Sequence, residues 1–124
     1  MNVVDSCGWL EYFSDGPNAE IFAEPILKTS TLIVPTLSMY EVFKVALRER
    51  GEDAALQAIA IMKQGKEIEL NSNLAIQAAK TSFDLKIPMA DAIILTTARY
   101  YQALLWTQDD DFADINGVKY FQKP

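Results

Sequence analysis

The residues of this chain that could do chemistry are acids, and they stand at four places: Asp5, Glu41, Asp91 and the run Asp109-Asp110-Asp111. There is no histidine and only one cysteine, Cys7. A Ser-His-Asp or Cys-His nucleophile and an imidazole base are therefore excluded. So is histidine-ligated zinc, and one thiol cannot build a structural zinc site. Chemistry must come from carboxylates, hydroxyls, Lys, Arg, Tyr or a metal held by oxygen. Two unit charges about 4 Å apart repel by about 4 kcal/mol at an effective dielectric of about 20. Acids gathered at one place thus require a cation or partial protonation. Ligands that are all oxygen select hard cations, Mg²⁺ or Mn²⁺ before Ca²⁺. The Ca²⁺-loop pattern is absent, because no Gly and Glu follow Asp109-Asp110-Asp111 at loop spacing. Ions held this way handle phosphates: they generate hydroxide and neutralise charge on a phosphodiester during hydrolysis.

The elements that would position these acids can be read in order. Asn2-Val3-Val4-Asp5 is a short apolar run ending in an acid, as in a buried parallel strand that emerges at its carboxyl edge. Ser6 then caps a helix through Trp9, Leu10 and Phe13. Asn18 to Lys28 reads as a helix interrupted or bent at Glu24-Pro25. Thr31 to Val34 is a second strand closed by Pro35, and Thr36 caps a long helix that carries Glu41 and ends at Gly51. Taken alone, Glu41 is an exposed acid pairing with Lys44. A further helix runs from Glu52 to Gln64, and an alternating, more exposed strand from Lys66 to Leu70. The next helix opens at Asn71 or Ser72, with Leu74, Ile76, Ala79 and Phe83 as its apolar face. Pro88 fits the first position of the following helix, whose buried face is Ala90, Ile93, Ile94 and Thr97. Asp91 lies in its first turn, where the helix dipole favours an acid, so alone it reads as a dipole partner or cap. Ala103 to Thr107 is an apolar strand running straight into the acid run, and Val118 to Phe121 is a last short strand.

Strands alternating with helices predict an α/β fold with a mostly parallel sheet covered on both faces. Ligands of such sheets sit beyond the carboxyl ends of the strands. Asp5 and the Asp109–Asp111 run stand at such ends, and Glu41 and Asp91 lie near the starts of helices at the same edge. The 124 residues suit one domain, 1–124, and half of them are hydrophobic, enough for a real core. A net charge of −6 argues against nucleic-acid binding through bulk positive charge and fits a cation binder or a basic partner. The lone cysteine and the lack of a membrane-length apolar run or a leader-like N-terminus predict a cytoplasmic protein without a membrane.

The set Val4-Asp5-Ser6, Glu41, Ala90-Asp91-Ala92 and Thr107-Gln108-Asp109-Asp110-Asp111-Phe112, in that order, resembles the PIN domain and, more narrowly, the VapC-like toxins of prokaryotic toxin–antitoxin pairs. The resemblance covers nearly the whole chain. It implies a three-layer α/β/α sandwich with a parallel, five-stranded sheet. The implied activity is an Mg²⁺- or Mn²⁺-dependent endoribonuclease that leaves a 5′-phosphate. Asp5, Glu41, Asp91 and Asp109 match the family's acidic quartet, which is both catalytic and metal-ligating. Ser6 and Thr107 match its hydroxyl positions, and Asp111 matches a further acid. The resemblance also implies a homodimer and an antitoxin that fills the active-site groove.

Two other readings belong beside it. A receiver-like phosphoacceptor domain also gathers acids around Mg²⁺, but would place an acid pair after the first strand and a lysine after the last long one. Here the first strand carries only Asp5, and Lys119 lies within the final strand. A catalytically silent binding module of the same fold is the other. Lys44, Arg48, Lys86 and Arg99 are candidate RNA-phosphate contacts, with ordinary surface charge as the simpler reading. Cys7 reads as a small buried side chain. Trp9, Phe13, Phe43 and Trp106 read as core or dimer-interface residues, and the helical spacing of Trp9, Phe13, Tyr40, Phe43, Tyr100 and Tyr101 predicts that some rings project outward to a second copy.

Overall fold

A computed structural model describes residues 1–124. Five strands, β1 (Asn2–Val4), β2 (Leu32–Pro35), β3 (Lys66–Ile68), β4 (Leu104–Thr107) and β5 (Val118–Tyr120), form one sheet in the order β3-β2-β1-β4-β5. Every pairing is parallel, with Val3 opposite Ile33 on one side and Leu105 on the other. Six helices connect the strands: α1 (Ser6–Phe13), α2 (Ala19–Leu27), α3 (Thr36–Arg50), α4 (Glu52–Met62), α5 (Ser72–Leu85) and α6 (Met89–Tyr100).

The two-residue period of the strands divides the core into two layers. Val3, Ile33 and Leu105 face one way and pack with Leu74, Ile94, Leu95 and Ala98 of α5 and α6. Their neighbours Val4, Leu32, Val34 and Trp106 face the other way and meet Trp9, Phe22, Val42 and Met62 of α1 to α4. Both faces are covered, giving the expected three layers. Close approach on the second face depends on Gly8, where a Cβ would lie 2.7 Å from Phe22 Cδ1 and 2.8 Å from Val4 Cγ1.

Several boundaries differ from the sequence expectation. Asp5, not Ser6, occupies the N-cap of α1 and accepts the Ser6 amide. Pro35 and Pro88 take the cap positions ahead of α3 and α6, so Thr36 is already helical and Pro88 is not. Helix α2 continues through Pro25, whose apolar ring is buried in the core layer, so burial overrides the lost backbone bond. The strand expected over 66–70 ends at Ile68. On α5 the buried residues are Leu74 and Ala78, while Ile76 and Phe83 face solvent. Helix α6 is buried all round from Ala92 to Ala98, lying between the sheet and α5 rather than showing one face.

Strand order fixes where a ligand can sit. From β1 the chain steps outward to β2 and β3, then returns to β4 on the other side of β1. The reversal leaves a crevice beyond the carboxyl ends of β1 and β4. Asp5 follows β1, and Gln108 and Asp109 follow β4.

Candidate metal centre

Asp5 is buried at the end of β1. Its Oδ1 accepts the Ser6 amide at 2.9 Å, and its Oδ2 accepts the Thr107 hydroxyl at 2.8 Å and the Cys7 thiol at 3.2 Å. Burial nevertheless pushes its carboxyl above the usual range, with the Glu41 charge adding to the rise and the hydrogen bonds opposing it. Thr107 Oγ1 also accepts the Asp109 amide at 3.0 Å, so one hydroxyl ties the ends of β1 and β4 together. Glu41, in the second turn of α3, accepts the Ser6 hydroxyl on Oε1 at 2.6 Å.

The tightest group is formed by Asp91, Asp109 and Asp111, each offering a carboxylate oxygen within 4.8 Å of the others. Asp91 projects from the first turn of α6. Asp109 caps a 3-10 turn over Asp110–Phe112, its Oδ1 accepting the Asp111 amide at 3.0 Å. Partial burial first, and then the negative charges of Asp5, Asp109 and Asp111, together raise the Asp91 carboxyl to about 7. Protonated Asp91 hydrogen-bonds to Asp111, which also favours its neutral form.

The expected acids therefore converge in two steps. Asp91 and Asp109 meet directly, together with Asp111. Asp5 lies near enough for its charge to act on Asp91, and Glu41 is joined to Asp5 through Ser6 and its own charge. Asp110 is exposed and, with Asp109, lines a small polar groove together with Tyr120, Gln122 and Lys123. None of these acids takes part in an ion pair with lysine or arginine. Lys119, which a receiver-like site would direct at the acids, lies 4.2 Å over the Trp106 ring instead.

The basic residues considered as phosphate contacts are largely engaged elsewhere. Lys44 sits over the Tyr40 ring, Arg48 pairs with Glu49, and Arg99 donates to the Asn116 carbonyl.

Three polar residues at this edge were not identified as site residues from the sequence. The Cys7 thiol reaches both Asp5 Oδ2 and, at 3.3 Å, Thr107 Oγ1; burial and the Asp5 charge push it up to about 12, so it stays protonated. Its position two residues after Asp5 was the available signal. Asn18 and Gln108 are bonded to each other across 90 residues of sequence, and no local pattern announces such a pair.

An oxygen-only donor set with uncompensated negative charge fits a hard divalent cation. A protonated thiol is no competitor for it. A groove of about 480 Å³ lies between α1, α3 and α4, its wall mixing Leu10, Phe13 and Ile61 with Glu49 and Arg50; Cys7, which is bonded to Asp5, also lines it.

The PIN domain family model matches residues 3–118, and the chain belongs to that family. Its fold is also that of solved toxin–antitoxin structures. A toxin–antitoxin complex from Klebsiella pneumoniae superposes with a TM-score of 0.85 at 21% identity, covering 99% of this chain and 100% of that one. VapC20 of Mycobacterium tuberculosis, a sarcin–ricin loop cleaving toxin, gives a TM-score of 0.77 at 15% identity over 94% and 95% of the two chains. DNA-bound VapBC from Salmonella typhimurium gives 0.77 at 15% identity over 98% of each. Among curated protein sequences nothing matches significantly.

Proposed function

We propose that residues 1–124 form one PIN-like domain acting as an Mg²⁺- or Mn²⁺-dependent endoribonuclease, the toxin of a toxin–antitoxin pair. The observation that carries this reading is the meeting of Asp91, Asp109 and Asp111 beside Asp5, with no cationic side chain to balance them. In this reading Asp5, Glu41, Asp91 and Asp109 hold the metal and Asp111 supports them. A bound divalent ion supplies charge neutralisation at the scissile phosphate and activation of water. The chain's own part is to hold the carboxylates. Thr107 fixes Asp5 and the Asp109 amide, Ser6 fixes Glu41, and the start of α6 aims Asp91. Without metal, burial and then the neighbouring negative charges raise the carboxyls of Asp5 and Asp91; a bound cation would favour their ionised state.

The partners proposed are an RNA substrate, an antitoxin and a second copy of the chain. The toxin–antitoxin neighbours support the antitoxin, and the groove between α1, α3 and α4 is the surface assigned to it, with Cys7, bonded to Asp5, on its wall. The homodimer is supported by Ile76 and Phe83, which stand two turns apart on α5 and are 73% and 82% exposed. No helix is long and apolar enough to cross a membrane.

Purified protein is expected to cut single-stranded or loop RNA with Mg²⁺ or Mn²⁺, to leave a 5′-phosphate, and to stop in EDTA. Cleavage that persists in EDTA, or that leaves a 2′,3′-cyclic phosphate, rules the mechanism out, because attack by the 2′-OH needs no metal-activated water.

A further inference from the structure

We propose that Asn18 and Gln108 form a buried clamp that places Asp109 against Asp91, making both of them positioning residues of the metal centre; this rests on the metal-nuclease reading above. Asn18 lies at the junction of α1 and α2 and is 6% exposed; Gln108 lies between β4 and Asp109 and is 7% exposed. Asn18 Nδ2 donates to Gln108 Oε1 at 3.0 Å and to the Gln122 carbonyl at 3.3 Å. The Asn18 amide in turn is held by Glu11 Oε2 at 2.8 Å. Buried amides are costly unless bonded, so the pair has one favoured arrangement.

That arrangement acts on the next residue. Asp109 has extended backbone angles, φ −84° and ψ 120°. In extended chain, neighbouring side chains point to opposite sides. With Gln108 pinned inward by Asn18, Asp109 is turned outward to the face where Asp91 stands. The backbone is held as well: the Asp109 amide donates to Thr107 Oγ1 at 3.0 Å. Asp109 Oδ1 then takes the Asp111 amide, passing the placement on to the third acid. Neither Asn18 nor Gln108 carries charge, so removing either one changes the placement of the acids and not their electrostatic sum.

The test compares Mn²⁺ binding by calorimetry, and Mn²⁺-induced melting shifts, in wild type, Asn18→Ala, Gln108→Ala and the double variant, with RNA cleavage measured alongside. Groups that orient metal ligands ordinarily change affinity by about 10- to 100-fold when lost. The expected result is about 10-fold weaker Mn²⁺ binding in each single variant. The double variant should be no worse than the weaker single one, because both remove the same bond. Asn71→Ala, which deletes the α5 cap bond to the Leu74 amide and no bond to the acids, serves as the control that lowers stability but leaves Mn²⁺ affinity unchanged. Wild-type Mn²⁺ affinity in both single variants, with only melting temperature lowered, overturns the proposal and leaves the pair merely structural. Should Asn18→Ala not fold, Gln108→Ala breaks the same bond from the other end. A wild type that neither binds Mn²⁺ nor cuts RNA overturns the metal-nuclease reading and this proposal with it.

Discussion

The Ser6 hydroxyl meets Glu41 Oε1 at 2.6 Å, joining the first residue of α1 to the second turn of α3. Asp5 is the neighbour of Ser6 and feels the Glu41 charge, so this bond holds two like charges near one another. Hydrogen bonds to charged groups contribute about 1.5–3 kcal/mol. Glu41 is only half-buried and regains water when released, so Ser6→Ala should cost about 1 kcal/mol in urea unfolding. It should also weaken Mn²⁺ binding. Glu41→Gln keeps an acceptor but removes the charge. It should leave the metal-free protein as stable as wild type and still weaken Mn²⁺ binding. Equal Mn²⁺ affinity in all three proteins would place Glu41 outside the site.

A second prediction concerns assembly. Ile76 and Phe83 expose apolar surface on one side of α5, and burying a phenyl ring removes roughly 150–250 Å² from water. Light scattering at micromolar concentration should give twice the 13.9 kDa chain mass. Phe83→Glu should give the single-chain mass with an unchanged circular dichroism spectrum. A monomeric wild type would remove the homodimer.

Much of the fold was legible because strand and helix periodicities are local. Val3 and Val4, or Leu105 and Trp106, sort to opposite faces by alternation alone. The strand ends carrying Asp5 and Asp109 follow from the same pattern. What was not legible depends on contacts between distant segments. Ile76 and Phe83 match helical spacing as well as Leu74 and Ala78 do, and only the packing of α5 against α6 decides which pair is buried. Asp111 joins Asp91 and Asp109 because a 3-10 turn folds the acid run back on itself, whereas in the sequence only the family resemblance sets Asp109 and Asp111 apart from Asp110. The Asn18–Gln108 bond spans the chain and has no local trace.

A third prediction follows from the raised carboxyl of Asp91, about 7 in the folded state. An acid whose folded pKa lies above its unfolded value binds a proton on folding. Stability therefore falls as pH rises between the two values. The ordinary value is about 4. In EDTA, stability should fall from about pH 4 to about pH 7 and then level. The raised Asp5 carboxyl adds to the trend in the same direction. Excess Mn²⁺ should reverse it, because a cation favours the ionised forms. Melts across this range with and without metal give the check, and metal-free stability that rises with pH through the same window would contradict the gathered acids.

The last prediction separates a metal-binding Asp91 from one that only complements its helix dipole. A dipole partner or cap stabilises the fold, so its loss would cost about 0.5–2 kcal/mol at neutral pH. Asp91 in this structure is instead partly buried and feels three other acids, and both resist its ionisation. Asp91→Asn removes that repulsion while keeping the size of the side chain. In EDTA above pH 7 the variant should therefore melt at or above the wild-type temperature, and the fall between pH 4 and 7 should flatten. Metal should act in the opposite sense. Binding to the folded state stabilises by mass action, by about 2.7 kcal/mol when the ligand is at about 100 times its dissociation constant. Wild type should gain that stability from Mn²⁺, the variant much less, and RNA cleavage should collapse. A variant that melts lower in EDTA yet keeps the full metal-induced shift would mean that Asp91 is a structural acid and that the metal is held without it.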